Sequence, residues 1–239
     1  MTLPILEAPK FETKIPSTNK PIEFRPYLVK EEKILMMALE TGDEKQMIKA
    51  MKDVIKTCTF DKVNPDDLTM FDLEFLFLKL RSKSVGEITS VEFKCDDTKC
   101  NGFTKVEINL DEIEVTFPSG KDTTKKIELT DVIGVTMKPI TVRSVSRIDT
   151  EEKDKGKLIT DLLIASLESV YDAKAVYPVK DIPKAEVTAF IDSLNRSQLK
   201  KIEDYIRSSP RLEKVINFKC TKCSKDCSHT LTGIQSFFA

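Results

Sequence analysis

Two cysteine clusters far apart in the sequence constrain this chain more than any other feature. The first runs from Phe93 to Gly102 and carries Cys95 and Cys100, and the second runs from Phe218 to His229 and carries Cys220, Cys223 and Cys227. Each is flanked by runs in which apolar and polar residues alternate. Val91 and Phe93 lead into the first, with Phe103, Val106 and Ile108 leading out. Val215, Ile216 and Phe218 precede the second, and Leu231 and Ile234 follow it. Such alternation is the pattern of half-buried strands, so each cluster is expected at the tip of a hairpin. Gaps of two to four residues let one tight turn offer two sulfurs to a tetrahedral ion, and Zn2+ is the natural candidate. The spacing therefore predicts that the two hairpins meet in one structural Zn2+ site of Cys95, Cys100, Cys220 and Cys223. Cys227 competes with Cys223 for the fourth position, and His229 is a further donor nearby. Four thiolates close the coordination sphere and leave no position for Lewis-acid catalysis. The competing expectation is a set of free cytosolic thiols, or a disulfide formed only on isolation.

The 239 residues include 6 cysteines, and five of these sit in the two clusters, which is not how a disulfide framework is distributed. Cys58, in a helical segment, reads as a small buried hydrophobe. With 7 glycines and 1 histidine there is little material for phosphate-cradling loops or histidine catalysis. No phosphate loop, dinucleotide fingerprint, HExxH or nucleophile elbow occurs, and the chain reads as non-enzymatic. The 38 basic residues balance 39 acidic ones, which gives no general drive toward nucleic acid or anionic membrane. No run approaches the roughly 20 apolar residues of a membrane span. The N-terminus lacks the charged and continuously apolar regions of a signal peptide, so cytosolic synthesis is expected.

The fold class expected is α+β, with helical bundle segments and a zinc-ribbon-like β module assembled from the two distant cysteine hairpins. Residues 1–27 hold five prolines and read as an extended arm with an anchor at Ile22 to Tyr27. Residues 28–87 read as helical. Ile34, Leu35, Met37, Ala38 and Leu39 supply one apolar face, and Met47, Ile48, Met51, Val54 and Ile55 supply another across a Gly42 break. The methionines of this pair, Met36, Met37, Met47 and Met51, are expected as core filler. A third, very apolar helix is expected to start at Asn64 and Pro65 and to be central to its bundle. Residues 88–140 carry the first ribbon half and a β-hairpin formed by 113–117 and 126–129. Residues 141–212 read as helical, including one helix from Glu151 to Val170 and a helix pair after Pro183. Residues 213–239 form the second ribbon half.

The segments from Arg25 to Ala38 and from Phe71 to Ser84, the paired cysteine motifs and the terminal stretch from Gly233 to Phe238 resemble a baseplate-hub protein family of T-even-type contractile-tailed bacteriophages. That resemblance implies a late, non-enzymatic role in virion assembly, either as a hub component or as a chaperone for the hub and tape-measure protein. It implies partners among tail and baseplate proteins, no small-molecule substrate, and a place in the host cytoplasm during assembly or in the tail baseplate. Arg25, Tyr27, Phe237 and Phe238 are the partner-contact candidates. The sequence departs from the family at the second knuckle, where the insertion carrying Cys227 opens the ligand choice. The alternative reading is a zinc-ribbon protein that binds nucleic acid. Against it, Lys94, Lys99, Lys219, Lys222 and Lys225 are offset by Asp96, Asp97 and Asp226.

Overall fold

Prolines and short alternating runs limit the N-terminal strands to four residues each. In the computed structural model, which describes residues 6–148, 154–233 and 236, β1 (Phe11–Lys14) pairs antiparallel with β2 (Pro21–Phe24). The segment expected as an extended arm is thus a hairpin where it is described, with Phe24 buried. Two helices follow, α1 (Val29–Thr41) and α2 (Glu44–Cys58). The break between them is Gly42, whose φ of 65° ends α1 in the left-handed region, and Asp43, whose side chain accepts the Lys45 N–H to cap α2.

A 3-10 turn at Pro65–Asp67 precedes α3 (Met70–Val85). Proline at the expected helix start therefore opens a separate turn, and the α-helix begins five residues later. Next come β3 (Ile88–Lys94), β4 (Phe103–Asn109), β5 (Val115–Thr116), β6 (Lys125–Glu128) and β7 (Gly134–Met137). The short α4 (Val142–Val145) and α5 (Lys155–Ser166) lead into β8 (Leu167–Tyr171) and β9 (Val176–Pro178). The helix pair α6 (Lys184–Asp192) and α7 (Arg196–Arg207) and the strands β10 (Arg211–Lys219) and β11 (Asp226–Thr232) complete the α+β chain.

The residues form two units. Unit 1 draws its described residues from Met1–Pro65, Phe71–Thr116 and Arg211–Ala239. Val54 and Ile55 of α2, Leu73 and Leu78 of α3, and Leu110, Ile113 and Leu212 are fully buried in it. The expectation that α3 is covered on most sides holds, since Phe71, Leu73, Phe75, Leu76, Phe77, Leu78 and Leu80 are all buried. Only part of the expected face of α1 is core. Leu35 and Ala38 are buried, while Ile34, Met36, Met37 and Leu39 are exposed. Of the expected methionine filler, Met51 is buried.

Unit 2 comprises Asp66–Met70 and Phe117–Pro210. Its four-stranded antiparallel sheet has the order β6-β7-β8-β9. Leu129, Val135, Met137, Leu163, Leu167, Val187, Ile191, Ile202 and Tyr205 form its core. The helix expected to reach Val170 stops at Ser166, and β8 takes over between β7 and β9. The expected 113–129 hairpin does not form, because β5 pairs with β10 while β6 pairs with β7.

Candidate metal centre

Both cysteine clusters occupy hairpin tips in unit 1. β3 and β4 pair in register up to Lys94 opposite Phe103, leaving residues 95–102 as the connecting loop. The Cys95 N–H donates to the Gly102 carbonyl at 3.0 Å and the Cys100 N–H to the Asp97 carbonyl at 2.9 Å, so the loop is pinned at both cysteines. β10 and β11 pair up to Lys219 opposite Asp226. Within their loop the Cys220 N–H donates to the Lys225 carbonyl at 2.9 Å and the Ser224 N–H to the Cys220 carbonyl at 2.8 Å. Ser224 takes a φ of 58°, a left-handed turn that folds the knuckle back on its first sulfur.

The two tips are joined directly. The Thr221 N–H donates to Thr104 Oγ1 at 3.0 Å, and Thr221 Oγ1 donates to the Phe103 carbonyl at 3.1 Å. Asp96 Oδ2 accepts the Ser228 N–H at 3.0 Å. His229 Nε2 stands 2.9 Å from Asp96 Oδ1, outside hydrogen-bond alignment. Phe93 and Phe218 stack with ring centroids 5.4 Å apart, and the His229 ring leans on both.

The sulfurs converge where the tips meet. One Sγ from each of Cys95, Cys100, Cys220 and Cys223 lies within 4.8 Å of the other three. Cys95 to Cys223 measures 3.6 Å and Cys100 to Cys220 measures 3.8 Å. A tetrahedron with metal–sulfur bonds of about 2.3 Å has edges of about 3.8 Å, so these separations suit an ion of that geometry. Cys227 is the fifth thiol. It is buried, with its Sγ 3.9 Å from that of Cys95. His229, engaged with Asp96 and the two phenylalanines, is not part of the sulfur group.

Electrostatics point the same way. The N–H groups of Cys223 and Lys222 aim at the Cys220 sulfur and pull its pKa down to about 6. Burial, followed by the neighbouring sulfurs of Cys223, Cys220 and Cys95, pushes Cys100 up to about 12. A thiolate is therefore favoured at Cys220 and disfavoured at Cys100, and a divalent ion at the cluster would supply the charge that the second one needs. Two of the lysines beside the tips have acidic neighbours, Lys225 3.9 Å from Asp97 and Lys219 4.0 Å from Asp226.

Gly102 belongs to the centre, although the spacing of the cysteines gave no reason to single it out. A Cβ there would stand 3.1 Å from the Sγ atoms of both Cys100 and Cys220 and 2.9 Å from Lys222 Cβ. The signal available in the sequence was a glycine two residues after the second cysteine of a loop.

A sequence profile described as T4 bacteriophage base plate protein matches residues 8–239. The chain belongs to the T4 base plate protein family. It is also similar to the baseplate hub assembly protein gp26 of Enterobacteria phage T4, 23% identical over 229 residues that cover 96% of this chain and 97% of that protein. No solved structure matches it.

The base plate family resemblance also named four contact candidates, of which the structure places Arg25 and Tyr27 away from the sulfur cluster. Arg25 is turned inward, its guanidinium 2.9 Å from Glu31 Oε1 and donating to the Pro26 carbonyl at 2.8 Å. The Tyr27 N–H donates to Ser84 Oγ at 2.9 Å, and burial pushes the tyrosine hydroxyl up to about 12. Both residues tie the start of α1 to the body of this base plate protein. Phe237 and Phe238 lie outside the described residues. Cys58 is fully buried and takes no part in the cluster.

Proposed function

We propose that this base plate family member promotes assembly of the tail baseplate hub by binding other hub proteins, with the tape-measure protein among its partners. It acts in the host cytoplasm as an assembly chaperone and catalyses no reaction. The observation that carries this reading is the end-to-end similarity to a baseplate hub assembly protein, which covers nearly the whole of both chains.

Within the same reading, Zn2+ held by Cys95, Cys100, Cys220 and Cys223 makes the two cysteine hairpins a zinc-ribbon-like module. The convergence of their sulfurs at near-tetrahedral separations supports it. When bound, the ion supplies charge neutralisation and cross-linking rather than chemistry. The chain's own residues do the remaining work of the module. Thr221 and Thr104 dock one tip on the other, Asp96 ties in β11, and Gly102 leaves room for two sulfurs. The module holds the surfaces that meet partners, with Phe237 and Phe238 as direct contacts and Arg25 and Tyr27 setting the position of α1.

The test is affinity purification of a tagged chain from infected cells, with mass spectrometry of the recovered proteins and of mature particles. Recovery of hub proteins from cells, with the chain absent from particles, is the expected outcome for a chaperone. Recovery of no tail protein overturns the reading.

A further inference from the structure

The fifth thiol of the cluster has no role in a four-ligand site, yet the fold buries it against one of the four. We infer that Cys227 is a spare ligand, which takes the fourth position of the metal centre when Cys223 leaves it. This rests on the reading that Cys95, Cys100, Cys220 and Cys223 hold a metal ion.

The two competing cysteines differ in how they are held. Cys223 is the exposed member of the cluster. It sits in the loop between β10 and β11, next to Ser224, whose left-handed backbone costs a residue with a Cβ about 1–2 kcal/mol. Cys227 belongs to β11 itself, fixed opposite Phe218 by the strand register, and is buried. Its Sγ lies 3.9 Å from Cys95 Sγ, close to the 3.6 Å that separates Cys95 from Cys223. The Lys225 carbonyl accepts from its thiol at 3.6 Å.

While Cys223 ligates, Cys227 stays at the edge of the cluster with its S–H directed toward Cys95 Sγ or the Lys225 carbonyl. A change of one side-chain rotamer moves a sulfur by about 3 Å, enough to bring it from the edge of the cluster into a vacated position. In the exchange Cys227 gives up its proton on ligating and Cys223 takes one up on leaving, so the charge of the centre is unchanged. The exposed knuckle can thus open, or its cysteine be alkylated, without loss of the ion.

The test loads the full chain with Co2+ and reads thiolate-to-metal charge-transfer intensity and metal stoichiometry. Four forms are compared: wild type, Cys227→Ser, Cys223→Ser and the double variant. Wild type, Cys227→Ser and Cys223→Ser are all expected to show one ion with four thiolates. The double variant is expected to lose about a quarter of the charge-transfer intensity, or the ion itself. A three-thiolate spectrum, loss of metal or failure to fold in Cys223→Ser, alongside a normal Cys227→Ser, overturns the inference while leaving the metal reading intact. A wild-type chain that takes up no Co2+ overturns the metal reading and the inference with it.

Discussion

The Sγ atoms of Cys95 and Cys223 lie 3.6 Å apart although 128 residues separate them in sequence. Unit 1 is discontinuous. Its chain leaves at Thr116 and returns at Arg211, and those two residues are partners in the β5–β10 pairing. A short strand pair and the sulfur cluster are thus two separate closures of one long excursion, and the cluster is the one that a bound ion would strengthen.

Removing the ion is expected to cost much of unit 1's stability. Apparent binding energies of roughly 10–16 kcal/mol for structural zinc are comparable to the stability of a whole domain. A strong chelator should lower the thermal midpoint by at least about 10 °C. It should also open residues 95–102 and 220–225 to proteolysis, as mapped by mass spectrometry of the fragments.

Gly102→Ala tests the packing of the centre without touching a ligand. The added methyl group meets two sulfurs and the Lys222 side chain, and overpacking of this kind costs about 1–3 kcal/mol. Metal affinity, measured by competition with a chromophoric chelator, should fall along with stability.

The Arg25–Glu31 pair predicts an acid response. Burial opposes the Glu31 carboxylate, but hydrogen bonds from Arg25 and from the Leu28 N–H outweigh it and hold its pKa below the ordinary value. A carboxylate whose folded pKa is depressed contributes stability that is present above its unfolded pKa of about 4.3. That stability is lost as pH falls through the folded pKa. Arg25→Ala should therefore destabilise the chain by about 3 kcal/mol at pH 7. Glu31→Gln should flatten the decline in stability below about pH 5. Denaturant unfolding of both variants at neutral and acid pH checks this.

Asp96→Ala separates docking of the hairpins from metal binding. It removes the acceptor for the Ser228 N–H and the charge beside His229. A loss of about 1 kcal/mol is expected, with metal stoichiometry unchanged by elemental analysis.

Much of the centre was legible because cysteine spacing and period-two alternation are both local signals. The helix boundaries around Gly42 and Asp43 were legible for the same reason. Strand partners were not. The alternation at Val115 and at Ile127 is real, but nothing in it says that one run pairs with β10 and the other with β7. The boundary at Ser166 was missed because Leu163, Leu167 and Val170 also fit helical spacing. Pairing of β8 between two strands overrode that local pattern. Met36 and Met37 show the limit of reading an apolar run as core, since α1 turns them outward. Which of Cys223 and Cys227 joins the four-sulfur group depends on how the loop and the strand register place each sulfur, which sequence spacing does not carry.

The most direct test of the account is elemental analysis of the purified chain beside its Cys220→Ser variant. The account predicts one zinc per wild-type chain, with zinc and thermal stability lost together in the variant. A metal content that Cys220→Ser leaves unchanged, or a folded wild-type chain without metal, would contradict it.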